Sequence, residues 1–229
     1  MNAPAFRKVL RTLLTRYRSR NWAAALDRFE ALVSIIVSQN STDLVTERVM
    51  ADLRSRMPVT ARSIAAATEP DLVEALRPAG LARQKVPKIQ QTARILVEHH
   101  RGTMDAFLEA PVERARDMLL ALPGVGPKTA DVWLSLVAGR STMPVDTHIA
   151  RLARRWHLIR AAASYGETTA ALKALIEPRQ RQRGHLALIF FGREICQARR
   201  PRCELCPVYR WCDADVKRPR LERTRATKV

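Results

Sequence analysis

No apolar run in this 229-residue chain approaches the length of a membrane-spanning helix, so a membrane-embedded role is excluded at the outset. The segment from Met1 to Lys8 lacks the apolar core of a secretion signal, and a soluble protein of the cytoplasm, associated with the nucleoid, is expected. Alternating strand patterns of useful length are missing, as are internal repeats, Gly/Ser linkers and low-complexity tracts. Acidic side chains are in short supply: 22 Asp and Glu face 40 Lys and Arg, leaving a net charge of +18. Such an excess concentrates anions and favours nucleic acid or an anionic surface as partner. Cysteine is scarce too, with four residues, all between positions 196 and 212. A disulfide scaffold spreads its cysteines along the chain and needs an oxidising compartment, so this cluster reads instead as a metal site.

What is present is helical periodicity. Leu26, Phe29, Leu32, Val33, Ile36 and Val37 form one apolar face, and Val45, Val49 and Leu53 another. Val86, Ile89, Ala93, Leu96 and Val97 make a third, and Ile149, Leu152, Ala153 and Trp156 a fourth. Thr42 is placed to cap the helix after it. Pro58 and the Pro78 to Gly80 segment break helices, while Pro70 and Pro111 open them. The expected fold is all-α. From Asp213 onward the chain is polar, basic and without period, and a disordered tail that adds weak phosphate affinity is expected there.

The most informative stretch runs from Leu122 to Ala130, Leu-Pro-Gly-Val-Gly-Pro-Lys-Thr-Ala. Gly124 and Gly126 let the backbone turn sharply and approach another molecule closely. Pro127 suits the first position of a helix, where its missing N–H costs nothing. The N–H groups of such a hairpin and helix start point outward at the positive end of a helix dipole, which makes a phosphate site. Lys128, a cation in the first turn, is badly placed for helix stability and invites a functional reason. An ordinary Gly-Pro turn between packed helices is the plainer alternative.

Further on, Pro144-Val-Asp-Thr-His148 puts Asp146 at the start of a helical pattern, a common place for a capping Asp. The cysteines then follow as C-x6-C-x2-C-x5-C: Cys196, Cys203, Cys206 and Cys212. Structural zinc usually takes two short-spaced pairs, and only Cys203 and Cys206 form one. Four thiolates in this asymmetric spacing fit a [4Fe–4S] cluster. Arg199, Arg200 and Arg202 sit between the first two cysteines, on a loop pinned at both ends and well placed for phosphate contacts.

The hairpin with its lysine, the Val-Asp-Thr-His box and the cysteine spacing, in this order, resemble the endonuclease III family of DNA repair glycosylases, within the helix-hairpin-helix glycosylase superfamily. The resemblance runs from about Leu26 to Cys212. It implies two helical domains with DNA bound in a cleft between them. A six-helix barrel carrying the hairpin would take residues 22–135, and a [4Fe–4S] domain residues 136–213 together with an N-terminal helix in 1–21. A basic tail would fill 214–229.

The resemblance also implies roles for particular residues. Lys128 would be the nucleophile that forms a Schiff base with the opened sugar, making the protein a bifunctional glycosylase and AP lyase. Asp146 would stabilise positive charge on the sugar and assist proton transfer. Leu81, after Gly80, matches an intercalating loop that fills the gap left by a flipped nucleotide, with Lys85 supporting phosphates nearby. Asn40 stands where many members carry Gln, shorter by one methylene in a polar segment that includes Asp43. Leu120 replaces an acidic residue found in some members, and Pro127 a residue that is often basic. The expected substrate is duplex DNA with damaged, oxidised pyrimidines or abasic sites, cleaved by β-elimination by a monomer. Three other readings differ in class or substrate: a mismatch glycosylase on the same scaffold, a non-catalytic DNA-structure binder, and a zinc-dependent DNA-binding factor. Lys128 together with Asp146 favours an enzyme, because phosphate binding needs neither.

Overall fold

A computed structural model describes residues 1–18 and 21–217. Of the tail expected at 214–229, residues 218–229 lie outside the described residues. Among the described residues the fold is twelve α-helices and five short 3₁₀ turns without a strand, as the periodicity implies. None of these helices is long and apolar enough to cross a membrane. The chain divides into two compact units, residues 21–140 and residues 1–20 with 141–229.

The unit of residues 21–140 holds α2 (Arg28–Ser38), α3 (Asp43–Arg56), α4 (Ala61–Ala66), α5 (Glu69–Leu76), α6 (Ala82–His99), α7 (Asp105–Glu109), α8 (Val112–Leu120) and α9 (Pro127–Leu136). Short polar side chains set the starts. Asp27, Thr42, Thr60 and Thr68 each accept a hydrogen bond from the first turn of the helix they precede, satisfying N–H groups that helix geometry leaves orphaned. Eight of the eleven α2 residues, Phe29 and the run from Ala31 to Val37, are buried, so this helix forms the centre of the unit. It packs on α3, α6 and α9. Trp133 of α9 is fully buried, meets Phe107 edge-on at 6.3 Å and donates its indole N–H to the Arg28 carbonyl at 3.0 Å. Its polar edge is therefore satisfied inside the core.

The other unit combines α1 (Ala3–Arg16) with α10 (Thr147–Arg155), α11 (Tyr165–Leu175), α12 (Arg181–Glu194) and the cysteine segment. Its core joins Phe6, Leu13, Ile149, Leu152, Trp156 and Phe191, with Trp156 stacked on Phe191 and met edge-on by Phe6. The Met1 ammonium donates to the Trp156 carbonyl and to Asp213, tying the start of α1 to the residue after Cys212. Ser164 and Glu167 form a reciprocal capping box at the start of α11.

Candidate active site and cysteine centre

The Leu122 to Ala130 segment is a turn between α8 and α9. Val125 N–H donates to the Leu122 carbonyl at 3.1 Å, closing it. Gly124 takes φ 82°, a left-handed conformation that favours glycine, and a Cβ there would come within 3.2 Å of the Lys88 Cβ. Gly126 is different. It is extended, at φ −93° and ψ 178°, so the turn itself does not require glycine there; its bare α-carbon leaves open space beside the start of α9. Pro127 is the first residue of α9 with Gly126 as its N-cap, and no side chain caps this helix. Uncapped N–H groups in a first turn suit an anionic guest. Lys128 follows at once and is exposed.

Polar contacts from two partly buried side chains, Arg116 and Gln39, hold this turn in place. Arg116 of α8 pairs with Asp131 of α9 at 3.0 Å, and Asp131 is only 4% exposed, so the two helices are cross-linked beside the turn. Gln39, the C-cap of α2, donates its amide to the Gly124 carbonyl and to the Thr129 hydroxyl, both at 3.1 Å. Neither contact announces itself in the sequence, because each links residues far apart along the chain.

Asn40 and Leu81 lie in the same unit, and both are left-handed residues other than glycine, at φ 57° and 55°. Asn tolerates that conformation; for Leu it is strained. Leu81 is also 48% exposed, so an apolar side chain is held out to solvent on a strained backbone. Strain and exposure combined at one residue point to a task outside the core. Leu120, at the end of α8, is half-buried.

Lys85 does not fit the expected phosphate role. It is 4% exposed, and its ammonium donates to the Val37 carbonyl at 2.8 Å and the Ala79 carbonyl at 3.1 Å. Both acceptors end local structure, one near the close of α2 and one just before Gly80. Lys85 is an internal tie that anchors the Leu81 loop to α2, and burial pushes its pKa down.

In the other unit, Asp146 is the N-cap of α10 and accepts from the Ile149 N–H at 2.8 Å through one carboxylate oxygen. It is half-buried. Two turns of α10 carry arginines that reach the first cysteine. Arg151 donates to the carbonyls of Gly192 and Cys196. Arg155 donates to the carbonyls of Cys196, Gln197 and Ala198, and to the Cys196 sulfur at 3.1 Å. Burial pushes the His148 imidazole toward its neutral form, with Arg151 at 3.1 Å from Nδ1.

None of the four cysteines forms a disulfide, and all four line one cavity with Trp156 and Phe191 among its apolar walls. Among the described residues no three His, Cys, Asp or Glu side chains converge as ligands of a single metal ion. Four soft sulfur donors around one apolar cavity, with a guanidinium N–H directed at one of them, suit a polynuclear iron–sulfur group. Burial pushes the Cys206 thiol up to about 11 and that of Cys196 in the same direction. Between the first two cysteines the Arg202 N–H closes the loop onto the Ile195 carbonyl at 2.8 Å, and Arg199, Arg200 and Arg202 are exposed.

Comparison with known proteins follows the same lines. Residues 33–178 match the model of the HhH-GPD superfamily of base excision DNA repair proteins. The chain is 33% identical to endonuclease III of Bacillus subtilis (strain 168) over 190 residues, 83% of each chain. It is 32% identical to endonuclease III of Escherichia coli (strain K12) over 210 residues, 90% of this chain and 95% of that one. Among solved structures it is similar to a trapped endonuclease III–DNA covalent intermediate, with a TM-score of 0.82 and 29% identity over 93% of this chain and 96% of the other. A thermostable thymine-DNA glycosylase, at 20% identity and a TM-score of 0.74, shares the fold.

Proposed function

Because the chain belongs to the endonuclease III family within the HhH-GPD superfamily, we infer that it is a base excision repair DNA glycosylase with AP lyase activity, acting on damaged bases in duplex DNA. Oxidised pyrimidines are the substrate class we assign, following the family. Lys128 is the nucleophile on this reading. Its neutral amine attacks C1′ of a nucleotide taken out of the stack, and the N-glycosidic bond breaks with its electron pair leaving on the base, which takes up a proton. Ring opening gives a Schiff base. Loss of a C2′ proton then expels the 3′ phosphate, nicking the strand by β-elimination.

Asp146 stabilises the positive charge that develops on the sugar, through the carboxylate oxygen not spent on capping α10. Leu81 fills the gap in the stack and Asn40 contacts the space left by the flipped nucleotide. The phosphates are gripped by the first-turn N–H groups of α9, approached across Gly124 and Gly126, and by Arg199, Arg200 and Arg202. Cys196, Cys203, Cys206 and Cys212 would hold a [4Fe–4S] cluster, whose chemistry here is to staple the segment from 196 to 212 by iron–thiolate bonds. In domain terms, residues 22–135 are the barrel with the hairpin and 136–213 with the N-terminal helix the cluster domain.

The observation that carries this reading is the exposed amine of Lys128 at the uncapped start of α9. Borohydride reduction tests it. Wild-type protein should become covalently joined to abasic-site DNA, and Lys128→Ala should not, while retaining most of its DNA affinity through the backbone N–H groups. A Lys128→Ala protein that still traps and still nicks would mean that a different amine attacks. Wild type that binds lesion duplexes without ever trapping would support the non-catalytic binder instead.

A further inference from the structure

Gln39 lies between two features that the proposed chemistry uses. It follows the last turn of α2, its N–H bonded to the Ile36 carbonyl, and its side chain is half-buried. On one side its backbone leads directly into Asn40, whose left-handed conformation at φ 57° turns the chain outward. On the other, its amide nitrogen sits 3.1 Å from the Gly124 carbonyl and 3.1 Å from the Thr129 hydroxyl. A carbonyl only accepts, so the amide must present its NH₂ there, and both of its donors are spent on the Lys128 turn.

The two acceptors are well chosen for control. The Gly124 carbonyl belongs to the same peptide unit as the Val125 N–H, and that N–H is bonded to the Leu122 carbonyl at 3.1 Å. With Gln39 on the oxygen, the peptide is held at both ends and cannot rotate about its neighbours. Gly124 is the residue most free to allow that rotation, since its φ of 82° costs glycine nothing. Thr129 is 5% exposed and directly follows Lys128. Gln39 therefore fixes the backbone before Lys128 and the side chain after it.

We propose that Gln39 is a positioning residue for the Lys128 step, its amide locking the Gly124–Val125 peptide and Thr129 so that the amine is presented in one orientation, and coupling that orientation to the Asn40 turn. The inference rests on the assignment of Lys128 as nucleophile. A near-attack geometry loses rate quickly when it loosens, even where binding persists.

The test is the single-turnover rate of borohydride trapping on abasic-site duplex, measured with affinity for a reduced abasic analogue and with the thermal midpoint. Gln39→Met keeps the length and removes both donors. It should lower the trapping rate by about tenfold, equivalent to about 1.4 kcal/mol, with affinity changed less than about threefold because the first-turn N–H groups remain. Gln39→Glu supplies a discriminating signature. An ionised carboxylate faces the Gly124 oxygen as acceptor against acceptor, whereas the protonated acid donates one O–H to it. The ratio of the Gln39→Glu rate to the wild-type rate should therefore rise as pH falls, the ratio cancelling the lysine's own titration. A simple packing role would lower the midpoint and leave that ratio flat.

A Gln39→Met protein that traps at the wild-type rate overturns the proposal, as does a flat ratio between pH 5 and 8. If Gln39→Met fails to fold, the Gln39→Glu ratio alone decides. Wild type that never traps removes the Lys128 assignment and the proposal with it, whereas trapping by wild type and variants alike removes only the role of Gln39.

Discussion

Gly192 of α12 lies against His148 of α10 so closely that a Cβ at 192 would stand 2.9 Å from the His148 Cβ. Both Cβ positions are rigidly set by helical backbone, so neither side chain can swing aside to make room. The closeness of α10 and α12 is thus decided by one missing methyl. Gly192→Ala should force the helices apart and lower stability by about 1–3 kcal/mol, the usual cost of overpacking. Denaturant titration checks this; an unchanged midpoint would show that the helices slide without cost.

Lys85 should behave as a core residue. Lys85→Met leaves the Val37 and Ala79 carbonyls without their donor and should destabilise the protein by about 1–3 kcal/mol. The salt dependence of DNA binding should not change, because no phosphate contact is removed. A flatter log–log slope in this variant would return Lys85 to the interface.

The arginine loop should behave in the opposite way. If each guanidinium neutralises one phosphate, removing Arg199 and Arg200 together flattens the dependence of log affinity on log salt by up to about two units. The unfolding midpoint should stay near that of wild type, since both side chains are exposed. Titrations on an abasic duplex at several salt concentrations measure the slope.

Metal analysis addresses the cysteines. Protein purified without oxygen should be yellow-brown, contain iron and sulfide, and hold little zinc. Cys203→Ala should lose the colour and lower the midpoint of the unit that contains it, because ligation couples to folding. A colourless, active protein with one zinc per chain would refute the cluster.

Acid should weaken the start of α11. The Ser164 backbone N–H first, then Arg160 and the Ser164 hydroxyl, hold the Glu167 carboxyl down to about 2, against an ordinary value of 4.5. A folded value below the unfolded one means that the ionised form favours the fold. The contribution is complete above the ordinary value and is lost as pH falls from there through about 2. Glu167→Gln should therefore be less stable than wild type at neutral pH, the gap closing over that acid range. A gap that is constant with pH would place the effect elsewhere.

What could be read from the sequence was what depends on near neighbours. The cap at Thr42, the helix start at Pro127 and the cap at Asp146 are each written within four residues, and each stands as expected. The left-handed turn at Gly124 belongs with them. The role of Lys85 is hidden in the sequence because one of its two acceptors, the Val37 carbonyl, is 48 residues away and is brought to it by tertiary packing. A lysine beside an exposed loop looks the same in sequence whether it faces phosphate or two carbonyls. The contacts of Gln39 are hidden for a related reason, its partners lying 85 and 90 residues downstream. Gly124 and Gly126 look alike in sequence because both lack a Cβ, yet of the two only Gly124 has a left-handed backbone that favours glycine.

The contacts of Arg155 have a consequence for how this protein can vary. Apart from one sulfur, its guanidinium grips only main-chain oxygens, at residues 196, 197 and 198. Main-chain oxygens are the same whatever side chain a codon specifies. Exchange of Arg199 or Arg200 for other residues therefore leaves every one of these anchors in place, and the path of the loop need not change with the side chains it carries. The charge the loop presents and the shape that presents it are thus set by different residues.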